Sequence, residues 1–301
     1  MNKSKRLYGA SLSVKQCRNF GINSQDVLTW GIVYLGIKRY RLMSYWDECE
    51  PVRGKYNFKE LDAHMNIIQK YNGEVSLCLG VRQPRWPESH WPKWVKALSV
   101  HERNKRLMKF ITKVVERYKN RNVIIEWQLE NEALLKTFGE AGDFDRKRLQ
   151  NEFRLIKQLD PMRPIVMTTS TSWGIPLRKP IPDKVGFSYY RIVHNKGRYR
   201  YSIYQPSIFK LRAVFIRLVW RHPSFIHELQ AEPWGPKEIW NMTPKEQNKS
   251  MSIHHLRYNL KAAAKTGLYP IDLWGLEWWY WRYKQGDSRF ASYIRKTSRL
   301  Y

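Results

Sequence analysis

The sequence predicts an α/β fold, a single (β/α)8 TIM barrel with decorated βα loops that takes in residues 1–301. Three observations predict it. Eight short apolar runs alternate with helical patterns, as successive βαβ units do. A chain of 301 residues suits eight such units, and no Pro/Gly/Ser-rich linker, internal repeat or composition shift divides it. Polar and aromatic side chains gather at the carboxyl ends of the runs, which is where a barrel carries its chemistry.

The strand candidates are Leu7–Leu12, Ile37–Met43, Glu74–Leu79, Val123–Leu129, Pro164–Thr169, Val185–Tyr190, Ser224–Ile226 and Leu273–Leu276. Helices fall between them. Phe58, Leu61, Met65 and Ile68 repeat at helical spacing. The run "SVHERNKRLMKFITKVVERY" opens on Ser99 and Glu102 as a capping box and sets Leu107, Phe110, Ile111, Val114 and Tyr118 on one face. A further helix runs from Phe144 to Leu159 and stops before Pro161. A long one starts at Thr243 with Pro244 in its first turn and ends at Gly267. Pro176, Pro180 and Pro182 leave no room for a helix between the fifth and sixth strands. A doubly wound sheet is the alternative, but no glycine-rich phosphate turn follows any strand.

Composition bounds the function. The chain holds 54 Lys and Arg against 26 Asp and Glu, a formal charge of +28 spread along its length. Such a charge suits an anionic glycan, another cell-surface polymer, nucleic acid or a phospholipid surface, or else reflects a generally basic proteome. The 14 Trp and 18 Tyr exceed what a routine core needs and suit sugar-binding faces. Cys17, Cys49 and Cys78 are odd in number and lack metal spacing, so neither a disulfide framework nor a metal or other cofactor is expected. The opening "MNKSKRLYGASL" has no apolar leader stretch, which makes cytoplasmic residence the default and leaves export by another route open. "FKLRAVFIRLVW", Phe209–Trp220, carries three basic residues and cannot span a bilayer. It reads as a helix packed on a sheet, or as a basic amphipathic helix lying on a membrane. A monomer is expected.

The strand ends read "RLMSYWDECEP", "LGVRQPRWPESHW", "QLENE", "SYYRIVH", "FIHELQAEPWG" and "LWGLEWWYW". Glu132 and Glu228 lie 96 positions apart, 32 for each of the three βα units between the fourth and seventh strands. Those strands lie nearly opposite in an eight-strand barrel, so two carboxylates can face across its mouth. One protonated carboxyl and one ionised carboxylate suit glycosidic cleavage, retaining or inverting according to their separation.

"WQLENE" resembles the Asn-Glu end of the fourth strand in clan A glycoside hydrolases, the retaining (β/α)8 group that includes cellulase-like enzymes and β-galactosidases. "FIHELQAEPWG" is similar to their nucleophile strand, "YWDECEPVRGKYNF" to their second-strand loop, and "LWGLEWWYW" to their Trp-bearing eighth strand. The likeness runs from about Gly9 to Tyr283. It implies hydrolysis of β-glycosidic bonds of an oligo- or polysaccharide by double displacement, with Glu132 as acid/base and Glu228 as nucleophile. It further implies Asn131 on the sugar 2-hydroxyl, Arg41 holding Glu228 ionised, Tyr190 donating to the nucleophile and Trp274 under the reacting sugar. Tyr45, Trp46, Arg82 and Trp86 join these as substrate-binding candidates. Two points depart from the family pattern: His90 lies well past the third strand, and Glu232 rivals Glu228 as nucleophile.

Plainer readings stand beside these. Glu130 shares a face with Glu132 on an extended strand, or sits at a helix start. Asp47, Glu48 and Glu50 form a solvated loop or a functional one. Trp86, Trp91 and Trp94 bind further sugar units or close a lid over the core. His227 packs towards the helices, and His254 and His255 are structural residues within a helix. A basic glycan- or polymer-binding barrel without turnover, or a transglycosylase using the same residues, is the alternative activity. No specific nucleic acid is implied, since a strand-end Glu pair repels phosphate.

Overall fold

The computed structural model describes residues 8–133, 135, 144–172 and 174–299. Eight strands close into a barrel in sequence order: β1 (Tyr8–Leu12), β2 (Arg39–Met43), β3 (Glu74–Leu79), β4 (Ile124–Leu129), β5 (Ile165–Thr169), β6 (Lys184–Tyr189), β7 (Ser224–Gln230) and β8 (Ile271–Trp274). The pairs β3–β4, β4–β5, β7–β8 and β8–β1 are parallel. Parallel strands buried on both faces are rich in apolar residues, which is why part of each of the eight is visible in the sequence. The first candidate begins at Leu7, which lies outside the described residues.

Two compact units make up the chain. One comprises Met1–Tyr40, Ser170–Trp173 and Gly186–Tyr301, the other Arg41–Thr169 and Gly174–Val185. In the first, β2 shows how a strand tolerates charge inside a barrel. Tyr40 donates to the Ile37 carbonyl and lies where any side chain at Gly31 of the Ser24–Val33 helix would meet it. Arg39, one residue earlier, therefore takes the opposite face. There it meets the Asp272 carboxylate of β8 through two hydrogen bonds, at 2.9 and 3.1 Å, all of them buried. Between them lies Gly9 of β1, whose missing side chain makes the crossing possible: a Cβ there would sit 2.0 Å from Asp272 Oδ1. His227 Nδ1 of β7 reaches Asp272 Oδ2 at 2.5 Å. His227 is fully buried as expected, but its ring meets a carboxylate on the neighbouring strand and does not simply pack towards the helices.

The seventh and eighth strands differ most from expectation, the eighth starting at Ile271 and not at Leu273, while the sixth ends one residue early, at Tyr189. β7 runs four residues past Ile226 because His227, Glu228 and Gln230 each find a polar partner while buried. β8 ends at Trp274, and Leu276 already begins the Leu276–Lys284 helix. A short antiparallel hairpin, 192–195 with 198–201, follows β6 and has no signal in the sequence.

In the second unit, the Val100–Tyr118 helix buries the predicted face, and Ser99 caps it by accepting from the Glu102 N–H. The Glu102 carboxylate pairs with Arg106. The Arg146–Leu159 helix starts on Asp145. No helix forms between β5 and β6 among the described residues. The long helix read from Thr243 is in fact two, Pro244–Ser250 and Ile253–Thr266. The break falls at Met251, and Ser252 and His255 close a capping box on each other's backbone. His255 thus belongs to the first turn, with a task the sequence does not suggest.

His64, on the Lys59–Lys70 helix, is buried, and burial depresses its imidazole to about 4 against an opposing pull from Glu60. The neutral ring is the folded form, whereas the unfolded chain takes up a proton near 6.5. Stability is therefore lost as pH falls from about 6.5 towards 4, by roughly 3 kcal/mol. Melting temperatures of wild type and His64→Gln across that range check this. An equal acid slope in both would refute it.

Candidate active site

The residues singled out at the strand ends fall into two clusters, one in each unit. In the second unit the centre is Asn131, one residue past the turn that ends β4. Its Oδ1 accepts from Arg41 at 2.8 Å and from the Thr168 hydroxyl at 3.0 Å. Its Nδ2 donates to Glu88 at 2.8 Å. Those partners fix the amide orientation, because a flip would set NH2 against guanidinium. Arg41 Nε is held by Gln128 Oε1 at 2.6 Å, and Gln128 Nε2 donates to the Glu130 carbonyl. Glu132 donates its backbone N–H to Thr168 Oγ1 at 2.7 Å and stays half-buried. A chain of hydrogen bonds thus runs from Arg41 through Asn131 and Thr168 to the backbone of Glu132.

Glu130 and Glu132 both adopt left-handed backbone, φ 50° and 43°. Such conformations cost a non-glycine residue about 1–3 kcal/mol each and collect at functional sites. They also end the strand alternation, so the shared face expected of an extended chain does not hold. Glu130 lies 1% exposed and takes two hydrogen bonds from Arg148 of the Arg146–Leu159 helix, at 3.1 and 3.2 Å. It is not a helix-start carboxylate. Arg148 also holds Glu152 at 2.9 Å. Burial, then the charge of Glu130, pushes the Glu152 carboxyl well up, against the opposing pull of Arg148. One guanidinium thus serves both carboxyl groups, and the cluster anchors the acidic turn. Gly80 makes room for it, since a Cβ there would lie 2.5 Å from Glu130 Cγ.

The β3 loop folds back on itself. Arg82 bridges Ser89, and the His90 N–H donates to the Val81 carbonyl, so His90 returns to the strand end. Its ring lies 4.3 Å from that of Tyr45, and its Nε2 lies 3.2 Å from the Gln83 carbonyl. The apparent departure at the third strand is thus a matter of loop path. Arg82 is buried and donates to the Asn131 carbonyl. Tyr45 and Trp46 are buried too. Tyr45 donates to Pro84, and Trp46 stacks on Phe110 and donates to Glu50 at 2.7 Å. Trp86 is 64% exposed. Glu50 leaves the solvated-loop reading: it is buried and also accepts from the Gly54 N–H, which accounts for the Glu-Pro-x-x-Gly spacing as a turn clamp.

In the first unit the centre is Glu228, 7% exposed on β7. Tyr190, just past β6, donates to Glu228 Oε1 at 2.7 Å, and its ring stands edge-on to Trp234. Gln230 holds Tyr190 in place: its Oε1 accepts from the Arg191 and Ile192 N–H groups, and its Nε2 donates to the Ile192 carbonyl. Thr171 accepts from the Tyr190 N–H. Glu232 lies two residues beyond the strand, after Ala231 has bonded back to the Trp274 carbonyl. Trp274 ends β8, 6% exposed. Glu88, Gln128, Thr168 and Gln230 escape a reading of the sequence. Only their contacts identify them, and no motif marks them. Cys17, Cys49 and Cys78 are buried and form no disulfide, and no cluster of three His, Cys, Asp or Glu that could hold a metal exists among the described residues.

Comparison with known proteins follows the same lines. The family described as Glycosyl hydrolase family 10 matches residues 43–150. A β-galactosidase, BgaA, of Clostridium cellulovorans is 30% identical over 118 residues, covering 33% of this chain and 18% of that protein. The match therefore spans under a fifth of the relative's own length. Among solved structures, a β-galactosidase from Rahnella sp. R3 superposes with a TM-score of 0.64 at 13% identity, over 99% of this chain and 56% of that one. An endo-β-1,4-xylanase of family 10 from Gloeophyllum trabeum gives 0.61 at 16%, over 90% of this chain and 84% of that one. At those identities the structures speak for the fold. With the ordered strand-end motifs and the family match over residues 43–150 beside them, the chain is similar to the clan A (β/α)8 glycoside hydrolases.

Proposed function

We propose that this chain hydrolyses β-glycosidic bonds of an oligo- or polysaccharide with retention of configuration, using Glu228 as nucleophile and Glu132 as acid/base. The observation that carries the reading is the 2.7 Å hydrogen bond from Tyr190 to Glu228 on a β7 carboxylate that is still partly accessible. A phenol donating to one oxygen orients the other towards the anomeric carbon. The same bond favours Glu228 over Glu232.

In the first step the Glu228 carboxylate attacks the anomeric carbon while Glu132 gives its proton to the departing glycosidic oxygen. In the second, Glu132 takes a proton from water, whose oxygen displaces Glu228 from the sugar. Asn131 has one Nδ2 hydrogen left after Glu88 among the described residues, suited to the sugar 2-hydroxyl. Arg41 orients that amide as well as supplying positive charge. Trp274 and Trp86 offer faces to sugar rings, Arg82 acts through the Asn131 backbone, and Tyr45 and Trp46 act through the loops they hold.

The β-galactosidase and xylanase relatives support a β-linked substrate and leave the sugar open. A screen of aryl β-glycosides and β-linked oligosaccharides, with the first-formed anomer followed by proton NMR, tests the reading. The β anomer is expected to appear first. Initial release of the α anomer would overturn the double displacement.

A further inference from the structure

The Pro206–Trp220 helix buries Phe209, Arg212, Ala213 and Ile216. Arg212 ties that inner face down: its guanidinium donates to the carbonyls of Ser170 and Thr171 and lies over the Phe187 ring. The outer face is apolar as well. Ile208, Leu211, Phe215 and Leu218 follow one another at helical spacing, flanked by Val214 and Val219, and all six are exposed, Leu211 at 66% and Leu218 at 78%. Tyr201 and Ile203, just before the helix, are exposed too. Packing on the barrel accounts for only half of this helix.

Charge says what the outer face meets. From Lys184 to His227 the chain carries nine Lys and Arg and no Asp or Glu. Lys210, Arg217 and Arg221 stand exposed among or beside the apolar residues. A second copy docked on this face would set like charges against each other in a low-dielectric contact. A bilayer with anionic headgroups satisfies both halves of the pattern: the aliphatic and aromatic side chains enter the acyl boundary, and the basic side chains extend to the phosphates. At about 22 Å the helix is too short to cross a membrane and suited to lie along one. We propose that the outer face of the Pro206–Trp220 helix is a docking surface for an anionic phospholipid membrane.

Flotation of the full chain with phosphatidylcholine vesicles, with and without phosphatidylglycerol, tests this. The chain is expected to float with the anionic vesicles alone and to be released by salt. Leu211→Ser/Leu218→Ser should weaken binding at least about tenfold, and Lys210→Glu or Arg217→Glu about fivefold each, with melting temperature unchanged since these side chains are exposed. Wild-type flotation by the Leu double variant would mean that net charge alone causes adsorption, and would overturn the proposal. So would the absence of flotation, or equal flotation with neutral vesicles. Lipid-free self-association by sedimentation velocity, lost in the Leu double variant, would assign the face to a second copy and overturn it too.

Discussion

Glu228→Ala is expected to lower turnover of an activated aryl β-glycoside at least about ten-thousandfold, and Glu132→Gln by about 10²–10⁴-fold. The circular dichroism of both variants should match wild type. The roles separate by leaving group and by added nucleophile. A dinitrophenyl leaving group needs no proton, so the first step of Glu132→Gln recovers on such substrates while the second stays slow. Azide then attacks the glycosyl-enzyme and gives a product of retained configuration after two displacements. In Glu228→Ala azide occupies the vacated carboxylate space and gives the inverted product after one. Glu232→Gln should keep most of its activity. Wild-type turnover by Glu228→Ala, or loss in Glu232→Gln alone, would move the nucleophile to Glu232.

The positions of Glu132, Glu228, Asn131 and Tyr190 at or just past strand ends are legible in the amino-acid sequence, because strand ends follow from hydrophobic pattern. The residues that support them are not. Glu88 reaches Asn131 only because the 82–89 segment doubles back, a path set by backbone pairing between Arg82 and Ser89. The same fold-back brings in His90, which linear counting leaves stranded. Gln128 and Gln230 sit inside strands as polar residues, where pattern reading sees interruptions; each is tolerated because its whole amide is used. The reach of β7 to Gln230 is hidden for that reason. Glu130 looks like a partner of Glu132 in the sequence, and the left-handed turn that separates them has no period to detect.

The same hidden logic governs stability at the other end of the strands. Asp272→Ala should destabilise the chain by about 3–5 kcal/mol, because it leaves the Arg39 guanidinium, 3% exposed, without its carboxylate. That is a large part of the roughly 5–15 kcal/mol available to a folded domain. Burial alone would raise the Asp272 carboxyl. The charge of Arg39, then the hydrogen bond and charge of His227, hold it below its ordinary value. The folded value being the lower one, its contribution is present above the ordinary carboxylate range and is lost as pH falls below about 4 towards the depressed value. Urea unfolding at neutral pH and in acid should show wild type losing stability through that range and Asp272→Ala losing less. Removing both charges discriminates charge from packing: Arg39→Met/Asp272→Leu should recover much of the loss, since the desolvation of two ions disappears with their attraction. If the double variant is as unstable as Asp272→Ala, packing around Gly9 sets the stability and the ion pair does not. Gly9→Ala provides the independent check, for its methyl would fall on the carboxylate itself and must displace Asp272 from Arg39 whatever its charge.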